Sequence, residues 1–187
     1  MYSDLLYISG KKVSNVIYFN QRQKSMEIFD NYLPSDQFQE IRSHFINGSF
    51  PWYYIPFANG PEDPEHYYQL SHMIYWTNVG KVSNAFDVMK PLIDKINPQV
   101  LIKIKANFNP RSDGSKTCEF HQDKSFDFSW KTAIYYLNTN NGYTLFENGD
   151  KVDCVENRLV VFDGKERHLG VSCTDDHARF LINLNYI

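Results

Sequence analysis

At 187 residues, 42% hydrophobic and 22% charged, the chain has the bulk properties of one globular domain able to bury its own core. A formal net charge of −3, with no block of Lys and Arg, leaves no phosphate-tracking stripe, so nucleic-acid binding is not expected. The three cysteines, Cys118, Cys154 and Cys173, show no CxxC spacing, which argues against a zinc ribbon or a disulfide framework and fits a reducing compartment. The first residues have no basic segment leading into an apolar one, and no run approaches a membrane span. A cytoplasmic protein is therefore expected.

Taken in chain order, Met26–Leu33 predicts a strand running into Pro34. Ser35 can then cap a helix reaching about Asn47, with Phe38, Ile41 and Phe45 at helical spacing and Gly48 ending it. Phe50–Tyr54 is aromatic and extended. Phe57–His66 carries Gly, two Pro and acidic residues, and predicts a loop. A second helix is expected from Ser83 to Ile96, with Phe86, Met89, Ile93 and Ile96 on one face and Pro91 as a weak point.

From Val100 the period changes to two. Lys103, Lys105 and Asn107 fall on one face of the next strand; Ile102, Ile104, Ala106 and Phe108 fall on the other. Lys131–Asn138 and Tyr143–Glu147 read as strands joined by Asn140-Asn141-Gly142, an Asn-Gly hairpin signal. Lys151–Val155, Arg158–Phe162 and Ala178–Ile187 complete a set of short strands that predicts a barrel or sandwich. Residues 1–97 then form a helical and irregular flank packed on a β core at 98–187.

In an extended segment His121 and Asp123 point the same way, so an imidazole and a carboxylate can reach one ion. His168, after the Asp163-Gly164 turn, is the candidate third ligand, with His177 as its competitor. Two His and one carboxylate leave coordination positions open, a set that suits non-haem iron(II) oxygen chemistry. Arg179 lies eleven positions beyond His168 on the last strand, on the face shared by Leu181, Asn183 and Asn185. The opposite face, Phe180, Ile182, Leu184 and Tyr186, is wholly apolar. A guanidinium inside a barrel must be paired, because an unpaired buried charge is very costly. Its partner is either an Asp or Glu at the rim or a dicarboxylate ligand, and beside a metal triad the ligand is favoured.

The strings HQD, TAIYYLN, NRLVVFDG, RHLGVS and ARFLINLNY resemble the 2-oxoglutarate/iron(II)-dependent oxygenases, above all the prolyl-hydroxylase branch and its small phage-type members. The resemblance covers about Val100 to Ile187 and implies a double-stranded β-helix, a jelly-roll barrel flanked by helices. It implies His121, Asp123 and His168 as catalytic iron ligands, with Arg179 and Tyr136 on 2-oxoglutarate. Asn183 takes the place of a hydroxyl-bearing residue of that branch and can still donate a hydrogen bond to a carboxylate. A second departure lies at Asn107-Phe108-Asn109, where that branch carries a Tyr. The HQDK string is also similar to nucleic-acid demethylases of the superfamily, but their arginine lies further from the distal His and this chain is acidic. Asp123 occupies the position that halogenases of the family leave empty, so the resemblance implies hydroxylation.

Implied cofactors are Fe(II) and 2-oxoglutarate, with O2 as co-substrate and ascorbate as an accessory reductant. The primary substrate is not named: a prolyl or other protein side chain, a free amino acid, a nucleotide or a sugar derivative all stay open, and residues 57–72 and 109–120 are expected to shape the site. Two other readings stay open. One is a cupin-type metal barrel with a different activity, which usually has an HxH absent here. The other is a non-catalytic jelly-roll binding module.

Overall fold

The computed structural model describes residues 26–56, 68–114, 117, 119–123 and 127–187. Along these residues the elements are β1 (Met26–Phe29), α1 (Ser35–Ile46), β2 (Tyr53–Ile55), β3 (Gln69–Trp76), β4 (Gly80–Lys81), α2 (Ala85–Val88), α3 (Lys90–Ile96), β5 (Leu101–Pro110), β6 (Lys131–Tyr136), β7 (Tyr143–Phe146), β8 (Lys151–Asp153), β9 (Leu159–Asp163), β10 (His168–Val171) and β11 (Ala178–Tyr186).

The strands form two antiparallel sheets. The major sheet runs β1-β9-β6-β11-β5-β3-β2, with β4 on β3; the minor sheet runs β10-β7-β8. Backbone bridges Thr117↔Val171 and His121↔His168 set Thr117 and His121 against the free side of β10. The chain alternates between sheets: β6 and β9 belong to the major one, β7, β8 and β10 to the minor one. This is the jelly-roll order, a double-stranded β-helix with helices on one side.

Helix α1 forms where Phe38, Ile41 and Phe45 make one buried stripe. Ser35 does not cap it: Pro34 takes the N-cap position, its carbonyl accepting from Phe38 N at 2.9 Å, and no side-chain cap bond forms. The expected 83–96 helix is two pieces, α2 and α3, broken at Met89. Pro91 has no N–H to give a continuous helix, so it sits in the first turn of α3, where that donor would be unused anyway. The buried residues there are Ala85, Met89 and Leu92, with Phe86, Ile93 and Ile96 packed beside them.

Part of the first half belongs to the major sheet: β1, β2 and β3 lie in it, and β4 pairs with β3. The 69–76 stretch, unassigned from the sequence, is β3, bonded to β5 over Leu70↔Phe108 to Trp76↔Lys103. Its alternation is hidden because both faces are largely covered: Ile74 enters the core under the helices, while Gln69 turns to the interior of the barrel. Asn140-Asn141-Gly142 is likewise not a hairpin. It is the corner where the chain leaves the major sheet at β6 for the minor sheet at β7. Gly142 is required there by close approach, since a Cβ would lie 2.8 Å from the Val171 carbonyl oxygen and 2.9 Å from Arg179 Cδ. Asn148-Gly149, by contrast, does close a hairpin, β7–β8, with Gly149 at φ 92°.

Two apolar layers result. One fills the space between helices and major sheet, with Ile104, Tyr135, Phe180, Ile182 and Leu184. The other lies between the sheets, with Ile134, Phe146, Val160, Phe162 and Leu181. It closes one part of the barrel interior and leaves the rest polar.

Candidate metal centre and ligand cavity

His121 and His168 meet because their backbones pair. His121 N donates to His168 O and His168 N to His121 O, both at 3.0 Å, so the two side chains leave the ladder on the same face. Their ring centroids are 4.9 Å apart. Asp123 follows two residues on, as the extended spacing predicts, and the ligand atoms of His121, Asp123 and His168 all lie within 4.8 Å of one another.

The protonation pattern suits a divalent ion. Nδ1 of His121 lies 3.1 Å from the Glu119 carbonyl, and Nδ1 of His168 lies 3.2 Å from that of Glu166. A carbonyl only accepts, so each Nδ1 is the ring's donor to it, and Nε2 is the atom each ring can offer to a metal. Burial, then the neighbouring His168, lowers the His121 pKa and keeps the ring neutral. Burial pushes the Asp123 carboxyl the other way. Lys103, His168, a hydrogen bond from Asn185 and His121 outweigh it, holding Asp123 well below the usual carboxylate range. Asn185 Nδ2 donates to Asp123 Oδ2 at 3.0 Å and to Thr132 Oγ1 at 2.9 Å, which orients the carboxylate.

These groups border a cavity of about 310 Å³. At its other end lies Arg179, 2% exposed and so lining the interior rather than the rim. Its Nη2 donates to Thr144 Oγ1 at 2.8 Å, and Thr144 Oγ1 is 2.8 Å from Tyr136 Oη. Its guanidinium carbon is 5.5 Å from the centre of the Tyr136 ring. Gly170 pairs with Thr144 and His168 with Phe146. The arginine's hydroxyl partner is thus two positions along β7 from the metal end, about 7 Å.

The candidate residues therefore gather as follows. His121, Asp123, His168, Arg179 and Asn183 line one cavity, and Tyr136, itself fully buried, reaches it through Thr144. His177 is exposed at the 174–177 bend, its backbone bonded to Asp176, and takes no part in the cluster. His72 is buried on β3, with Nδ1 2.7 Å from the Pro51 carbonyl. His66 and Cys118 lie outside the described residues. Trp130 is buried against Gly164. Cys154, buried between the sheets, donates to the Asn138 carbonyl, and burial pushes its thiol up to about 11.

Sequence reasoning missed Thr144, the link between Arg179 and Tyr136. A period-two reading aimed at apolar residues passes over a Thr in YTLF. The strand face that carries Lys103, Lys105 and Asn107 lines the cavity, and Lys103 is 8% exposed.

No protein-family model matches the chain, and no curated relative matches it. Solved structures do. A prolyl hydroxylase from Trichoplax adhaerens, in complex with a hypoxia inducible factor oxygen degradation domain peptide fragment, superposes with a TM-score of 0.64 at 18% identity, over 88% of this chain and 84% of that one. A 2OG-Fe(II) oxygenase family oxidoreductase from Burkholderia pseudomallei gives 0.63 at 8% identity, over 88% and 86%. The viral collagen prolyl hydroxylase of Paramecium Bursaria Chlorella virus-1, in its 2-oxoglutarate complex, gives 0.61 at 12% identity, over 88% and 98%. Identities this low carry architecture and no more: the chain has the double-stranded β-helix fold of the 2-oxoglutarate- and iron(II)-dependent oxygenases.

Proposed function

We propose that this protein is a 2-oxoglutarate-dependent dioxygenase that hydroxylates a substrate, with His121, Asp123 and His168 holding Fe(II). The observation that carries the reading is the pairing, in one cavity, of a three-donor cluster at one end with the buried guanidinium of Arg179 at the other. Two imidazoles and a carboxylate are a donor set that fits iron(II) and leaves positions open. A five-carbon dicarboxylate has the length to reach from that set to the arginine end.

The chain's own residues have separable tasks. Asn185 orients the Asp123 carboxylate, and the Glu119 and Glu166 carbonyls fix the imidazole tautomers. Arg179 pairs with the distal carboxylate of 2-oxoglutarate, Thr144 and Tyr136 hold the guanidinium in place, and Asn183 adds a polar contact from the same strand face. Leu181 and Ile134 keep one wall of the cavity apolar. Iron(II) bound at the triad supplies oxygen activation, coupling conversion of 2-oxoglutarate and O2 to succinate and CO2 with insertion of the second oxygen atom into a substrate C–H bond. Asp123 is what makes hydroxylation, rather than halide transfer, the expected outcome.

The test is anaerobic addition of Fe(II) and 2-oxoglutarate to purified protein, followed by oxygen, with ascorbate present to keep the iron reduced. A weak visible charge-transfer band, absent from His121→Ala, and succinate after oxygen are expected. No band and no succinate from folded, iron-loaded protein would turn the reading towards a cupin-type barrel or a binding module.

A further inference from the structure

Two neighbouring strands present side-chain amides to the cavity. Asn107 and Asn109 on β5 and Asn183 on β11 line it and are 4%, 5% and 8% exposed. The side-chain oxygen of each is buried and has no hydrogen-bond partner among the described residues. Buried polar atoms in native proteins are nearly always bonded, so three orphaned acceptors around one cavity mark where a ligand's donors belong. 2-Oxoglutarate does not supply them. Its carboxylates and oxo group accept and never donate, so all three oxygens stay unmet with the co-substrate bound. A prolyl ring, with neither N–H nor O–H, leaves them unmet as well.

Register sets how far apart the donors must be. Asn107 and Asn109 are two positions apart on one face of β5, about 7 Å. Asn183 is opposite Lys105, and so diagonal to Asn107 on the adjacent strand. One N–H group cannot serve three oxygens spread in this way; the ligand needs donors at several points. An ammonium or guanidinium group would bring a like charge to Lys103, which lines the same wall and is 8% exposed. Hydroxyls supply donors without charge, and each can also accept from an amide NH2. The cavity, about 310 Å³, is at the small end for ligand sites, which suits a molecule of monosaccharide size.

Resting on the oxygenase reading, we propose that the primary substrate is a small polyhydroxylated molecule rather than a prolyl side chain, and that Asn107 and Asn109 select it by accepting from its hydroxyls. The Asn183 oxygen takes a further donor from the β11 side. A free sugar and the ribose of a nucleoside share this chemistry.

Stability and binding, not turnover, test the proposal. An orphaned amide destabilises the ligand-free protein, so the nearly isosteric Asn107→Leu should raise the melting temperature by about 2–4 °C. Asn185→Leu, which removes an amide bonded to Asp123 and Thr132, should lower it. A fall for Asn107→Leu as well would mean that the protein itself satisfies Asn107, and would overturn the proposal. Calorimetry on anaerobic protein loaded with Fe(II) and 2-oxoglutarate would then compare D-glucose, D-ribose and uridine with 2-deoxy-D-glucose, 2-deoxy-D-ribose and 2′-deoxyuridine, beside a capped prolyl peptide. At least one of the three is expected to bind about tenfold more tightly than its deoxy counterpart. Preference for uridine would name the nucleoside as the source, and preference for glucose or ribose the free sugar. Asn107→Leu and Asn109→Leu should each abolish the preference and leave 2-oxoglutarate affinity within about twofold, the size of an untouched contact. Weakened 2-oxoglutarate binding with the preference intact would assign these amides to the co-substrate and overturn the proposal. Equal binding within every pair, no binding of any of the three, or binding of the peptide alone would overturn it too. The two readings fail separately. Sugar preference in protein that binds no 2-oxoglutarate would overturn the oxygenase assignment and leave the hydroxyl site standing; 2-oxoglutarate binding with no sugar preference would do the reverse.

Discussion

Strand β11 has two faces that are equally buried and chemically opposite. Phe180, Ile182, Leu184 and Tyr186 look outward into the layer under the helices, while Arg179, Asn183 and Asn185 look inward to the cavity. Every residue of the strand is buried, so burial alone does not separate the two. What separates them is how their polar atoms are satisfied. The outward face has almost none to satisfy. The inward face commits Arg179 to Thr144 and Asn185 to Asp123, and leaves the Asn183 oxygen for a ligand. One strand therefore contributes stability on one side and recognition on the other, and substitutions on the two sides should fail in different assays.

Ile182→Ala tests the outward face. Ile182 is fully buried, and removing three carbons should cost about 3 kcal/mol of stability, read from urea unfolding. The surviving folded protein should bind 2-oxoglutarate as before; weakened binding would erase the division between faces. Arg179→Ala is the inward counterpart. Loss of a buried, charge-assisted carboxylate contact should raise the 2-oxoglutarate Kd roughly 10- to 100-fold, with metal affinity little changed. Unaltered 2-oxoglutarate dependence would remove Arg179 from the site.

Asn185→Ala sharpens the contrast within the inward face. It leaves all three ligands in place but frees the Asp123 carboxylate, so metal affinity should fall about tenfold, measured by competition with a chelator. The smallest effect concerns pH. Burial raises the Cys154 thiol to about 11 from an unfolded value of 9.0, so the unfolded state loses its proton first as pH rises. Stability is thus complete below pH 9 and declines between pH 9 and 11, by on the order of 1 kcal/mol at pH 10. Melting temperatures of Cys154→Ala should show a flatter slope there; an identical slope would mean that Cys154 titrates alike in both states.

Much of this could be read locally. The period-two alternation of ARFLINLNY places Arg179 on the polar face of a buried strand, because side chains alternate whatever the strand's neighbours are. The two-residue spacing of His121 and Asp123 sets their common direction for the same reason. Where the reading failed, the missing information was the identity of the neighbouring element. β3 went unassigned because a strand covered on both faces, one of them facing a polar cavity, has no apolar–polar contrast to display. The Asn140-Asn141-Gly142 turn passed for a hairpin because a turn's residues do not say which sheet the next strand joins.

Residue type and spacing in the chain are thus enough to name the ligand candidates, the direction each faces and the strand that carries the arginine. Side-chain direction is a property of a single extended backbone. Which His completes the cluster is a property of pairing. His168 lies 45 residues beyond Asp123 in the chain and is brought opposite His121 by two backbone hydrogen bonds, while His177 stays at an exposed bend. The pairing of β5 with β11 likewise aligns Lys103, Lys105, Asn107 and Asn109 across from Asn185, Asn183, Leu181 and Arg179. Only that juxtaposition makes residues of two separate strands the wall of one cavity.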